Sequence, residues 1–336
     1  MSAVGASIET LRIPGIAQPV ARVALGTWAI GGWKWGGADD TESVATVQGA
    51  IDRGINLIDT APVYGFGRAE ELVGQALAGG RRTRAVIATK AGVSWQDGKP
   101  FRDSRPARIR AEVEASLQRL RTDYIDLYQV HWPDPRVPIE DTAAELEHLR
   151  RAGKILAIGV SNYSAEQMQR FRGVTSFATL QSPYNLFERE IEAGPLPYAE
   201  QTERVVLAYG SLCRGLLSGR ITADTTFAGD DLRGYDPKFV MPRRQQYLAA
   251  VAALDEFAQR THGKRILALA IRWVLDRGGT IALWGARRPA QLQPVDECFG
   301  WHLSAAEREQ IDAILARTVH EPVGADFFAP PLRADG

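Results

Sequence analysis

The sequence predicts a single α/β domain over residues 1–336: a (β/α)8 TIM barrel with an N-terminal β-hairpin and an extra C-terminal helix and tail. Three observations predict it. Short apolar runs alternate eight times with longer amphipathic segments, which implies a parallel sheet and favours a closed barrel over an open doubly wound one. Polar residues stand at or just after the ends of the early apolar runs, where such a barrel carries its chemistry. The dinucleotide signature G-x-G-x-x-G follows no early run, and Gly65-Phe66-Gly67 does not complete it.

A hairpin around Leu11 and Val20 precedes the first barrel strand at 22–25. A helix over 41–53 follows, with Thr41 as N-cap and Gly54 as its stop. Strand 56–59, helix 69–78, strand 86–89 and helix 106–120 continue the alternation. Strand 125–130 leads to helix 141–151, which stops at Gly153, then to strand 155–160, helix 165–171 and strand 179–181. Helix 195–202 and strand 205–208 come next. The connection over 210–241 is long for a compact domain and is expected to fold over a ligand. Helices 242–260 and 265–276 precede the eighth strand at 280–283; another helix begins near Pro289, and one more covers 304–316.

Lys and Arg total 40, as do Asp and Glu, so no nucleic acid or anionic membrane is held by bulk charge. Cys213 and Cys298 make neither a metal spacing nor a disulfide framework, which fits a reducing compartment. With no signal-peptide pattern and no spanning apolar stretch, the expected location is cytoplasmic. The scattered histidines argue against a metal site. Oligomeric state is not legible.

Asp59, Tyr64, Lys90 and His131 form the first chemical constellation. A phenol titrates near pH ~10. A neighbouring ammonium, here Lys90, is expected to lower that value, with Asp59 holding Lys90 charged and His131 donating to a substrate oxygen. Together they can protonate an oxyanion forming on a carbonyl. Singly, each has a plainer reading as packing, ion pair or loop residue; four on one face favour function. Lys90 as a Schiff-base nucleophile of an aldolase is the alternative. In the second half, Ser161, Asn162 and Gln181 suit an amide or a ribose, or local turns. Tyr209 could stack on a flat ring. Gly285 with Arg287 and Arg288 opening a helix suits a phosphate, and Arg214 and Arg233 add cations.

The run from Gly54 through Asp59, Thr60, Ala61, Pro62, Val63, Tyr64 and Gly65, with Glu70 and Gly74 beyond, resembles the signature of the aldo-keto reductase superfamily. The likeness continues through Thr89-Lys90, Gln129-Val130-His131-Trp132, Gly153-Lys154-Ile155, Ile158 to Asn162, Gln181 to Asn185, and Tyr209 to Gly219. It is most similar to the bacterial branch that includes general stress proteins and potassium-channel β-subunits. The resemblance implies NADP(H) bound without a Rossmann fold, with Tyr64 as general acid tuned by Lys90 and Asp59, and His131 orienting the carbonyl. It places Ser161, Asn162 and Gln181 on the nicotinamide carboxamide, Tyr209 against the ring, and Thr27 and Trp28 nearby. Gly210, Leu212, Arg214 and Gly215 would line the pyrophosphate under Arg233, and Gly285, Arg287 and Gln291 the 2′-phosphate end. A redox-sensing NADPH-binding module is a second alternative.

Two departures bear on the cofactor. Gly210-Ser211 replaces the usual Ser-Pro, and Pro294-Val295 stands where Glu-Asn usually serves the adenine end, which admits NADH. Trp28, Trp33, Trp35, Tyr64, Trp132, Phe327 and Phe328 are expected to wall a substrate pocket with little charge. Small neutral carbonyls fit such a pocket, with glyceraldehyde as the example.

Overall fold

The computed structural model describes residues 8–325 and 328–334. Eight parallel strands close a barrel: β1 (Val23–Gly26), β2 (Leu57–Asp59), β3 (Val86–Ala91), β4 (Ile125–Val130), β5 (Ile155–Ser161), β6 (Thr179–Pro183), β7 (Val205–Tyr209) and β8 (Thr280–Gly285). They pair in chain order and β8 returns to β1. Almost every strand residue is buried, because barrel packing covers one face and helices the other. Continuous apolar runs are what such strands require.

The helices are α1 (Asp40–Asp52), α2 (Arg68–Ala76), α3 (Pro106–Leu120), α4 (Ile139–Arg151), α5 (Ala165–Arg172), α6 (Pro195–Gln201), α7 (Arg243–His262), α8 (Ile266–Leu275) and α9 (Ala305–Thr318). One core cluster lies between strands and helices. A second fills the barrel, where Ala24, Leu57, Val86, Leu127, Leu207 and Ile281 meet Ile13, Ile16 and Val20. The hairpin of Thr10–Leu11 with Val20–Ala21 thus brings apolar side chains to the barrel interior. None of the described helices is long and apolar enough to cross a membrane.

Local chemistry corrects some boundaries. Asp39, not Thr41, caps α1, its carboxylate accepting from the Glu42 N–H at 2.8 Å. The segment Pro289–Cys298 is 3-10 helix rather than α-helix and carries Pro294 inside it. A hairpin of Val93–Gln96 and Lys99–Arg102 was not anticipated. Asp97 and Gly98 turn it with positive φ (50° and 72°), and Asp-Gly is a sequence signal for such a turn. The C-terminal tail is tied at two places. Lys238 donates to the Gly324 carbonyl at 2.9 Å, and Arg102 donates to the carbonyls of Pro330 and Pro331.

Helix α2 packs hard on α3. The buried Glu70 carboxylate accepts from the Thr89 hydroxyl at 2.6 Å and from Arg119 Nε at 2.7 Å. This holds α2 and α3 against the strand that carries Lys90. At Gly74 the helices are so close that a Cβ would overlap the Arg119 carbonyl and come within 2.9 Å of the Leu120 carbonyl. Gly74→Ala is therefore expected to destabilise the fold by about 1–3 kcal/mol in urea unfolding, with the m-value unchanged; an unaltered midpoint would contradict this packing.

Candidate active site

Lys90 sits near the C-terminal end of β3 with no solvent exposure. Its Nζ donates to both Asp59 oxygens (2.9 and 2.8 Å), to the Thr60 carbonyl (2.9 Å) and to the Tyr64 hydroxyl (3.3 Å). Asp59 ends β2, and Tyr64 stands in the loop before α2. That loop passes so close to the 3-10 turn Ala29–Gly31 that a Cβ on Gly31 would lie 2.6 Å from the Tyr64 carbonyl carbon. Trp28 stacks on the phenol ring (6.0 Å, 23°), and His131 meets it edge-on (5.8 Å, 82°).

The electrostatics correct one expectation. Lys90 does not lower the Tyr64 value: loss of solvent, and then the Asp59 charge, push the phenol well above its ordinary range. The ammonium's charge is balanced by a carboxylate that also faces the phenol, so the net field is not that of a lone cation. Burial pulls Lys90 down and Asp59 opposes it. Burial, then Lys90, pulls His131 well below its usual value, so its imidazole is neutral. The site thus holds a protonated phenol, an ammonium and a neutral imidazole together.

The ends of β5, β6 and β7 carry a connected polar network. The Tyr209 hydroxyl donates to Asn162 Oδ1 at 3.0 Å, and Asn162 Nδ2 donates to the His131 carbonyl and to Ser161 Oγ. Gln181 Nε2 donates to Asp59 Oδ1 at 2.8 Å.

A cleft of about 310 Å³ opens beside Tyr64, within the size range of small-molecule sites. Thr27, Trp28 and Asp59 line its inner end, the loop of Tyr209, Gly210, Ser211, Leu212, Arg214 and Gly215 one wall, and Gly285, Arg287 and Gln291 another, with Arg233, Trp35 and Phe328 also on its surface. Ser218, Arg220 and Trp284, to which the sequence alone gives no role, line it too: Ser218 falls inside the Tyr209 to Gly219 run and Trp284 directly before Gly285. His131, Ser161, Asn162 and Gln181 are not on its wall. Trp33 and Trp132 do not line this cleft either: they pack with Phe66 and Trp95 in a cluster that includes Tyr64. Phe327 lies outside the described residues.

Arg214 is corrected as a free cation. It is buried, with Nε 2.6 Å from Asp236 and Nη2 2.6 Å from Glu188, and Lys238 lies 2.9 Å from Glu188. Burial alone would raise the Glu188 value, but Arg214 and Lys238 outweigh it and hold the carboxyl near 2. The left-handed turn at Arg214 and Gly215 (φ 55° and 93°) belongs to the loop that faces the cleft. Arg287 differs. It donates only to the carbonyls of Trp35 and Gly37 and has no carboxylate partner among the described residues. Burial, then Arg233 and Arg288, lowers its value, and Asp231, itself ion-paired with Arg233 at 2.6 Å, opposes them. Gln291 Oε1 accepts from the Arg287 and Arg288 N–H groups and fixes that turn. The buried Thr27 Oγ1 and Trp35 Nε1, both on cleft-lining residues, also lack partners among the described residues. The orphaned donors, and an Arg287 whose hydrogen bonds go only to carbonyls, fit an anionic ligand with a polar inner end.

The aldo/keto reductase family model matches residues 22–316. The chain is 54% identical over 330 residues to the aldo-keto reductase YhdN of Bacillus subtilis (strain 168), covering 98% of this chain and 100% of that one. It is 35% identical over 320 residues to the NADH-specific methylglyoxal reductase of Escherichia coli (strain K12), covering 90% and 95%. The solved glycerol dehydrogenase of Gluconobacter oxydans superposes with a TM-score of 0.86 at 57% identity, covering 94% of this chain and 97% of that one. The chain belongs to the aldo/keto reductase family of oxidoreductases.

Proposed function

We propose that the protein reduces small aldehydes and ketones with NADPH, Tyr64 donating the proton, and runs the alcohol oxidation in reverse at higher pH. The observation that carries this reading is the buried Lys90–Asp59 pair set against the Tyr64 hydroxyl beside the cleft. Bound NADPH would supply the hydride. Thr27, Trp28 and Tyr209 would hold its nicotinamide, Ser161, Asn162 and Gln181 the carboxamide, and Gly210, Leu212, Gly215 and the Arg214 main chain the pyrophosphate under Arg233. Gly285, Arg287 and Gln291 would take the 2′-phosphate. Arg287, hydrogen-bonded only to carbonyls, supports NADPH; Pro294-Val295 and the NADH-specific relative support NADH as a second donor.

The chain's own chemistry follows from the geometry. Tyr64 passes its proton to the carbonyl oxygen, and the ammonium 3.3 Å away stabilises the phenolate left behind. His131, neutral, donates a hydrogen bond to the same oxygen. An ammonium already engaged by four oxygens and fully buried is not disposed to attack a carbonyl, which supports the proton relay over the Schiff-base alternative. Trp28, Trp35 and Phe328 line a cleft wall that suits short neutral carbonyls. The glycerol dehydrogenase relative supports a three-carbon polyol or aldehyde such as glyceraldehyde. Two buried free cysteines fit the reducing cytoplasm.

Tyr64→Phe should still bind NADPH but lose carbonyl reduction by about 10²–10⁴-fold, the scale of a general acid; unchanged NADPH oxidation by glyceraldehyde would remove Tyr64 from the role.

The pH dependence has a definite sign. The raised Tyr64 value keeps the acid form through neutral pH, and the lowered Lys90 value makes the ammonium the first group lost as pH rises. Reduction should therefore be flat across neutrality, show no step near ~6.5 from His131, and fall only on the alkaline side. A break in kcat/KM near the ordinary histidine value would contradict the neutral imidazole.

A further inference from the structure

Strands β3 to β6 place Lys90, Gln129, Gly159 and Thr179 side by side in register. Gln129 is fully buried. Its Nε2 donates to Asp59 Oδ1 at 3.5 Å, and its Oε1 accepts from the Thr179 hydroxyl at 3.4 Å. Gly159 lies between them. A Cβ there would overlap Thr179 Oγ1 and come within 2.8 Å of Gln129 Cγ, so the missing side chain is what lets the amide lie across the barrel. Barrel interiors at such levels are ordinarily filled by branched apolar residues. A buried amide is costly unless bonded, and an apolar side chain of the same size would avoid that cost.

We propose that Gln129, braced by Thr179 across Gly159, is a positioning residue that fixes the Asp59 carboxylate so that both its oxygens stay on Lys90. The proposal deepens the proton-donor reading of Tyr64 and rests on it for its kinetic consequence. Gln181 donates to the same Asp59 oxygen, but it is also the group assigned to the cofactor's carboxamide. Gln129 is fully buried, with one end of its amide on Asp59 and the other on Thr179, and has no cofactor role in this reading.

The charged and titratable groups facing Lys90 are Asp59 from β2, Tyr64 from the following loop, His131 after β4 and Glu70 from α2, itself paired with Arg119 of α3. Removing the Gln129 brace lets the Asp59 carboxylate turn, so that both oxygens no longer stay on Lys90. The ammonium is then less well held and gives up its proton at lower pH.

The test uses the full chain with NADPH. It contains six lysines, so a ¹³Cε-lysine NMR titration resolves Lys90. In Gln129→Met the Lys90 titration should move down by about half a pH unit, the low end of what one ordinary hydrogen bond is worth. The alkaline limb of kcat for glyceraldehyde reduction should move with it, while KM for NADPH stays constant. Thr179→Val should shift both in the same direction by less, and it carries the test if Gln129→Met does not fold. A Lys90 titration unmoved in the folded variants overturns the proposal, including the case where only thermal stability changes. The Lys90 readout does not depend on who donates the proton. A shifted Lys90 beside an active Tyr64→Phe variant would therefore fault the donor assignment and not the positioning role.

Discussion

A lysine ammonium with no exposed surface must have a counter-charge, and the working end of this barrel is organised around supplying one. Asp59 gives both oxygens to Lys90, and Thr60 and Tyr64 fill the remaining directions. Such a pair contributes little net stability, yet removing one partner strands the other at a cost of about 3–5 kcal/mol. The arrangement is better understood as a way to keep charge beside the Tyr64 phenol where water is scarce. Burial lifts the phenol, which keeps Tyr64 protonated at neutral pH, and depresses the amine, which the Asp59 charge and hydrogen bonds oppose.

Charge along the cleft follows one logic with two outcomes. Arg214 and Lys238 lie against Glu188 and Asp236, so their positive charge is matched locally and serves to hold the long connection and the tail in place. Arg287 lies near Arg233 and Arg288 with carbonyls as its only hydrogen-bond acceptors. Arg287 faces the cleft without a direct ion pair among the described residues, Asp231 being engaged by Arg233, and suits an anion. The matched residues keep the shape of the loop whose glycines line the opposite wall.

The barrel was largely legible because buried parallel strands are continuous apolar runs, and the alternation survives even where helix ends shift by a residue or two, as at Asp39 and Thr41. Asp59, Tyr64, Lys90 and His131 were legible because each lies at or just past the end of such a run. The hairpin around Asp97-Gly98 has its signal in the turn residues themselves. Other features depend on partners distant in sequence. Nothing near Arg214 shows that its counter-ions are Glu188 and Asp236, and nothing near Trp33 shows that Phe66 takes its ring at 4.9 Å. The direction of the Tyr64 shift likewise depends on the balance of burial against two opposite charges, which sequence adjacency does not contain.

The central claim is that the Asp59 carboxylate keeps the buried Lys90 charged beside the phenol. The most direct measurement is kcat for carbonyl reduction by Asp59→Asn at pH 7, with folding and NADPH binding followed in parallel. The account predicts a fall of about 10²-fold or more with both controls retained, since the amide fills the same space without the counter-charge. Turnover within a few-fold of the parent enzyme would contradict it.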